Sequence, residues 1–120
     1  MSTKKILIFD DDIATLEVVS IIFQDLGYQV EIAETADDII SKVSSLSPDL
    51  IMMDISIPVI GGIEATRLLK GHDSYNQIPV MIITANNDIE QLSAKATADA
   101  YLSKPFDLNE LEEKVANLIV

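Results

Sequence analysis

Short apolar runs alternate with stretches of helical period along the whole chain. In Lys5–Phe9 the apolar residues Ile6-Leu7-Ile8-Phe9 follow one another without a break, the pattern of a strand buried on both faces. A helix is predicted next, N-capped by Asp12, with Leu16, Val19, Ile22, Phe23 and Leu26 on one face. Gly27 is placed to end it in a left-handed conformation. Tyr28–Ala33 alternates, Tyr28, Val30 and Ile32 against Gln29 and Glu31, which predicts a second strand nearer a sheet edge. Thr35 is expected to cap a second helix bearing Ile39, Ile40, Val43 and Leu46, stopped before Pro48.

Leu50–Met53 predicts a third strand, and Gly61-Gly62 separates it from a helix bearing Ile63, Thr66 and Leu69 that ends near Gly71. Pro79 opens a fourth strand, Val80–Ile83. Asn87 and Glu90 have capping-box spacing for a fourth helix, whose apolar residues are nearly limited to Leu92 and Ala96. Ala100–Leu102 predicts a short fifth strand. Asp107-Leu108-Asn109-Glu110 starts a last helix with Leu108, Leu111, Val115 and Leu118 inward. Strands apolar on both faces require helices on both sides. Right-handed crossovers then give a doubly wound α/β sandwich with a parallel sheet.

The 120 residues suit one domain, residues 1–120, with no linker, low-complexity segment or repeat beyond the strand–helix alternation. Hydrophobic residues make up 48%, enough for a core, and the absence of tryptophan makes that core aliphatic. A net charge of −12 argues against nucleic-acid and acidic-membrane binding, which need basic patches, and favours cations and partners with basic faces. There is no cysteine, hence no disulfide framework and no thiol catalysis. No apolar run approaches the roughly 18 residues of a membrane span. Met1-Ser2-Thr3-Lys4-Lys5 runs straight into a strand ended by acids, unlike a signal peptide, so the chain reads as cytoplasmic.

Two of the buried runs end on carboxylates, the first on Asp10, Asp11 and Asp12 and the third on Asp54. In a parallel sheet all strand C-termini share one edge, which is where ligands bind in open α/β folds. That edge would collect Asp10, Asp11, Asp12, Asp54 and Thr84, with Lys104 following the fifth strand. Oxygen ligands of this kind suit Mg²⁺. Crowded carboxylates raise one another's pKa, and a divalent ion reverses that and keeps them ionised. An ionised aspartate can then act as a nucleophile and form an aspartyl phosphate. Lys104 would neutralise phosphoryl oxygens and Thr84 would donate a hydrogen bond to one of them.

The chain resembles the receiver domain of two-component response regulators along its full length. The resemblance rests on Lys5-Ile6-Leu7-Ile8-Phe9-Asp10-Asp11-Asp12, Pro48-Asp49-Leu50-Ile51-Met52-Met53-Asp54, Ile57-Pro58 through Gly62, Ile82-Ile83-Thr84-Ala85 and Tyr101-Leu102-Ser103-Lys104-Pro105-Phe106, in that order. It implies a flavodoxin-like (βα)5 fold with strand order 2-1-3-4-5. It implies that Asp54 is the phosphoacceptor and that Asp10 and Asp11 bind Mg²⁺ with Asp54 and the backbone carbonyl of Ser56. Thr84 and Tyr101 would be the switch residues, Lys104 would contact the phosphoryl group, and the Lys104-Pro105 peptide would be cis. A histidine kinase or histidine phosphotransfer protein would be the donor, and the surface of the fourth helix, fifth strand and fifth helix would pass the signal to an effector domain or downstream protein. The chain departs from the family pattern at Gly61, where an aspartate is usual, at Thr97, where glycine is common, and at Ala100.

Other classes fit less well. An aspartyl-phosphate phosphatase or mutase normally wants a second acid two residues after the nucleophile, and Ser56 stands there. A flavodoxin-type electron carrier shares the topology but needs a hydroxyl- and glycine-rich loop after the first strand, where this chain is acidic. A docking module that has lost phosphorylation would lack the acceptor, an acid or the lysine, and all three are present. His72 lies in the polar segment His72-Asp73-Ser74-Tyr75-Asn76 and reads as a surface loop residue.

Overall fold

The computed structural model describes residues 3–58, 60–85 and 87–119. Met1 and Ser2, at the start of the N-terminal segment read above, and Val59, inside the Ile57–Gly62 segment, lie outside the described residues. The order is β1 (Lys5–Phe9), α1 (Ile13–Asp25), β2 (Gln29–Ala33), α2 (Ile39–Leu46), β3 (Leu50–Asp54), α3 (Gly62–Lys70), β4 (Val80–Thr84), α4 (Ile89–Ala96), β5 (Ala100–Ser103) and α5 (Leu108–Leu118). The strands form one parallel sheet in the order β2-β1-β3-β4-β5. β1, β3 and β4 are interior, which is why their apolar runs are continuous.

The sheet divides two cores. Ile6, Ile8, Leu50, Met52, Met81 and Ile83 face α1 and α5, where they meet Leu16, Phe23, Leu111 and Val115. Leu7, Phe9, Ile51, Met53, Val80 and Ile82 face the other way, against Ile39, Val43, Leu69 and Ile89 of α2, α3 and α4. Adjacent Met52 and Met53 thus enter opposite cores, as the two-residue period of a strand requires.

Several boundaries differ from the sequence reading. Leu26 is exposed, because α1 ends at Asp25 and Leu26 is the cap before Gly27, whose φ is +94°. β2 starts at Gln29 rather than Tyr28, and Ile32 is exposed rather than inward. β2 is an edge strand paired with β1, and Ile32 lines an open groove between β2 and α1 with Ile13 and Leu16. The residue before α2 is Asp38, not Thr35, whose hydroxyl donates instead to Asp37 at 2.7 Å. α4 begins at Ile89 after Asp88, so Asn87 is not its cap. Its buried residues are Ile89, Ser93 and Ala96, while Leu92 is only half-buried. Leu108 is exposed because it opens α5 at the first turn, ahead of the buried stripe of Leu111 and Val115.

Two helices stop on non-glycine residues in the left-handed region, α2 on Ser47 (φ 48°) and α4 on Thr97 (φ 58°). Thr97 is one of the departures from the family pattern, and the structure retains there the conformation that glycine adopts without strain. Gly61, the second departure, precedes α3 with φ +82°.

Candidate functional site

Each strand delivers its polar residue to the sheet edge at a register set by its neighbour. Phe9 pairs with Met53, so Asp10 and Asp54 leave adjacent strands side by side. Asp54 pairs with Ile83 and Thr84 with Ser103, which sets Thr84 and the Lys104 that follows β5 next along the edge. Asp54 and Thr84 are the last residues of β3 and β4, each one position longer than the apolar pattern predicts. Four separated segments therefore meet at one end of the sheet.

Asp10 has no exposed surface and Asp54 is only 5% exposed. The Asp10 carboxylate accepts a hydrogen bond from the Asp12 N–H at 2.9 Å and one from the Lys104 ammonium at 2.8 Å. The same ammonium lies 3.9 Å from the Asp54 carboxylate. The Ser56 N–H donates to Asp54 Oδ1 at 3.3 Å, so Ser56 contacts the acceptor candidate through its own backbone. Asp11 is exposed, and Asp10, Asp11 and Asp54 each present a carboxylate oxygen within 4.8 Å of the others. Asp12 turns away to cap α1, accepting from the Ala14 N–H at 3.1 Å and the Thr15 hydroxyl at 2.9 Å. The Thr15 bond, with its α1 neighbours, holds the Asp12 carboxyl below the usual carboxylate range.

Asp54 is the strained member of the group. Burial first, and the Asp10 charge second, push its pKa up to about 6, against the pull of Lys104 and of the Ser56 N–H. Two buried carboxylates facing one ammonium remain short of positive charge. Three oxygen donors at this spacing fit a divalent cation, which would supply it.

Gly62 keeps the site closed from behind. A Cβ there would lie 2.4 Å from the Asp54 carbonyl oxygen, so α3 can approach β3 this closely only through glycine. Thr84 is buried, and its carbonyl accepts the Lys104 N–H at 2.9 Å, which fixes the start of the loop after β5. The Lys104-Pro105 peptide is cis. Tyr101 is half-buried on β5, away from the carboxylates, and packs beside the core that contains Ile82 and Ile89. His72 lies in the loop after α3 and stacks on Tyr75, remote from the acidic edge in the fold.

Lys114 was not visible in the sequence as part of this arrangement. Its ammonium donates to the Tyr101 carbonyl at 2.5 Å and lies 5.1 Å from the centre of the Tyr101 ring. The available signal was its place on α5 beside the inward stripe of Leu111 and Val115, from which a long side chain can reach the sheet edge.

Residues 6–116 match the profile of the response regulator receiver domain. The response regulator MprA of Mycobacterium tuberculosis is 32% identical over 117 residues, covering 96% of this chain and 50% of that protein. The chain spans half or less of the length of curated relatives it matches, MprA among them. Among solved structures, a putative response regulator from Chloroflexus aurantiacus superposes with a TM-score of 0.92 at 28% identity, covering 98% of both chains. The receiver domain of the sensor histidine kinase PA1611 from Pseudomonas aeruginosa, solved with a magnesium ion coordinated in its active-site cleft, gives 0.88 at 26%, again covering 98% of both. With the profile, the strand order and the acidic edge of the sheet in agreement, the chain belongs to the response regulator receiver domain family of two-component signalling.

Proposed function

We propose that this chain is a phosphorylation-controlled signalling domain in which Asp54 accepts a phosphoryl group from a histidine kinase or a histidine phosphotransfer protein. The observation that carries the reading is the convergence of Asp10, Asp11 and Asp54 within 4.8 Å of one another, with Lys104 between Asp10 and Asp54. In this arrangement a carboxylate oxygen of Asp54 attacks phosphorus, the bond from phosphorus to the donor's leaving group breaks, and the leaving group departs with the electron pair. Positioning and charge neutralisation are most of what such a transfer needs.

Asp10, Asp11, Asp54 and the Ser56 carbonyl would hold Mg²⁺, in line with the magnesium reported in the PA1611 receiver. When bound, that ion keeps the carboxylates ionised and neutralises phosphoryl charge. Lys104 is within reach to pair with a second phosphoryl oxygen, moving from Asp10 as the balance of charge changes. The Thr84 hydroxyl, buried at the end of the neighbouring strand, would hydrogen-bond a third and draw β4 inward. Tyr101 would take the space released, altering the surface made by α4, β5 and α5. This is a population shift between two arrangements rather than a catalytic cycle, so the domain acts as an acceptor and not as an enzyme on other substrates.

A cleft of about 480 Å³ borders the site, lined by Thr15, Val18 and Phe106 together with Asp12 and Lys104. An apolar wall beside Lys104 suits a protein donor. Among the described residues no helix is long and apolar enough to cross a membrane, and we place the domain in the cytoplasm, where such donors present their phosphohistidine.

Intact mass spectrometry after incubation with acetyl phosphate tests the reading. A Mg²⁺-dependent gain of one phosphoryl group, absent in Asp54→Asn, is expected. Labelling that persists in Asp54→Asn would remove Asp54 as the acceptor.

A further inference from the structure

Among the described residues β5 has only β4 as a strand neighbour, so its outer side depends on other elements for cover. Lys114 supplies it. One ammonium makes two contacts with one residue, a 2.5 Å hydrogen bond to the Tyr101 carbonyl and a cation–π approach of 5.1 Å to the Tyr101 ring. The two differ in kind. The carbonyl belongs to the strand and stays in place whatever the side chain does. The ring contact exists only while Tyr101 keeps its present rotamer. The backbone bond therefore anchors the cation, and the anchored cation favours one position of the ring.

The surroundings do not lock the ring in place. Tyr101 and Lys114 line an open cleft of about 380 Å³ between α4 and β5, together with Glu90, Ser93 and Asp99. Ser93 is 4% exposed, and its hydroxyl oxygen is buried with no hydrogen-bond partner among the described residues. The wall of the cleft toward α4 is thus incompletely satisfied in this arrangement. Its charged lining is acidic apart from Lys114, so removing that ammonium leaves nothing of the same sign to hold the ring.

We propose that Lys114 is a positioning residue for the Tyr101 switch, with its ammonium, fixed to the Tyr101 carbonyl, holding the ring in its resting place and setting the ratio between the resting and phosphorylated arrangements. The proposal rests on the reading of Tyr101 as a switch residue and extends it to α5. A cation–π contact of this exposure corresponds to a factor of about two to five in that ratio.

The test is ¹⁹F NMR of the full chain carrying 3-fluorotyrosine, with Tyr28, Tyr75 and Tyr101 resolved and Tyr101 assigned from Tyr101→Phe. Beryllofluoride with Mg²⁺ serves as the phosphoryl mimic. Lys114→Met keeps the aliphatic stem and removes the charge. In that variant, without the mimic, the Tyr101 resonance should move toward its beryllofluoride position by a population ratio about two- to fivefold larger than in wild type. Tyr28 and Tyr75 should stay where they are, and Lys114→Arg should restore the wild-type resonance. A Tyr101 resonance that responds to beryllofluoride in wild type but is the same in Lys114→Met would overturn the role of Lys114 and leave the switch intact. A Tyr101 resonance that does not respond to beryllofluoride in wild type would overturn the switch reading itself, and the proposal with it.

Discussion

Lys104 lies 2.8 Å from Asp10, a carboxylate with no exposed surface, and reaches it across 94 residues of sequence. This pair neutralises the most deeply buried charge at the site. Removing the lysine would leave Asp10 and Asp54 facing each other uncompensated. Breaking a buried pair from one side costs about 3 kcal/mol. Lys104→Met should therefore lower stability by roughly that amount, and Mg²⁺ should return more stability to the variant than to wild type. Urea unfolding with and without MgCl₂ measures both. An equal response to Mg²⁺ would show that the lysine and the cation do not compensate the same charge.

The raised pKa of Asp54, about 6 against an ordinary 3.8, makes stability depend on pH in a defined direction. Below about pH 4 the group is protonated in both the folded and unfolded chain and costs nothing. Between about pH 4 and 6 the unfolded chain ionises first, so folded stability falls. Above about pH 6 the cost is complete, on the order of 3 kcal/mol. Asp54→Asn removes the ionisation but keeps a buried polar group. It should be more stable than wild type at neutral pH by about 2 kcal/mol, with the gap closing toward pH 4. Metal-free unfolding across that range checks this, and a gap independent of pH would assign the effect to packing instead.

The sequence pattern resolved most of the sheet because interior strands carry their own evidence. Ile6–Phe9, Leu50–Met53 and Val80–Ile83 are apolar at every position, and all are buried. The pattern failed where burial is one-sided or where a cap competes with its neighbour. Ile32 and Leu108 look inward by period, yet one lies on an edge strand and the other on a first helical turn. Thr35 and Asn87 are reasonable caps in isolation, but Asp38 and Asp88 precede the helices that form. The acidic edge was legible because parallel strands must end together. The pairing of Lys104 with Asp10, and that of Lys114 with Tyr101, were not, because no local period links residues so far apart.

Thr97 offers a prediction away from the reacting groups. It ends α4 at φ 58°, where a β-branched side chain is strained and glycine is not. Its hydroxyl donates a hydrogen bond to the adjacent Ala96 carbonyl at 2.5 Å. Thr97→Gly should stabilise the domain by about 1 kcal/mol, a rise of several degrees in Tm for a chain this size. Calorimetry reads it directly. Phosphoryl labelling of Asp54 should be unchanged, since α4 ends at the opposite end of the sheet from the carboxylates. A loss of stability would mean that the threonine hydroxyl contributes more than its backbone costs.

Gly61 and Gly62 are adjacent but should behave differently when given a methyl group. Gly61 has φ +82°, and a Cβ there would come no nearer than 3.7 Å to another residue, so Gly61→Ala pays only backbone strain, about 1 kcal/mol. At Gly62 the Cβ would meet the Asp54 carbonyl oxygen at 2.4 Å and the Ile55 Cα at 2.8 Å. Both are backbone atoms, so no flexible side-chain tip can yield. Either α3 or the end of β3 must move, at a cost of about 3 kcal/mol. That movement also shifts the residue proposed to attack phosphorus, and a misplacement near 1 Å slows such a reaction about a hundredfold. Gly62→Ala should therefore lose both stability and acetyl phosphate labelling, whereas Gly61→Ala should lose stability alone. Wild-type labelling in a folded Gly62→Ala variant would show that β3 holds Asp54 in place without help from the close approach of α3.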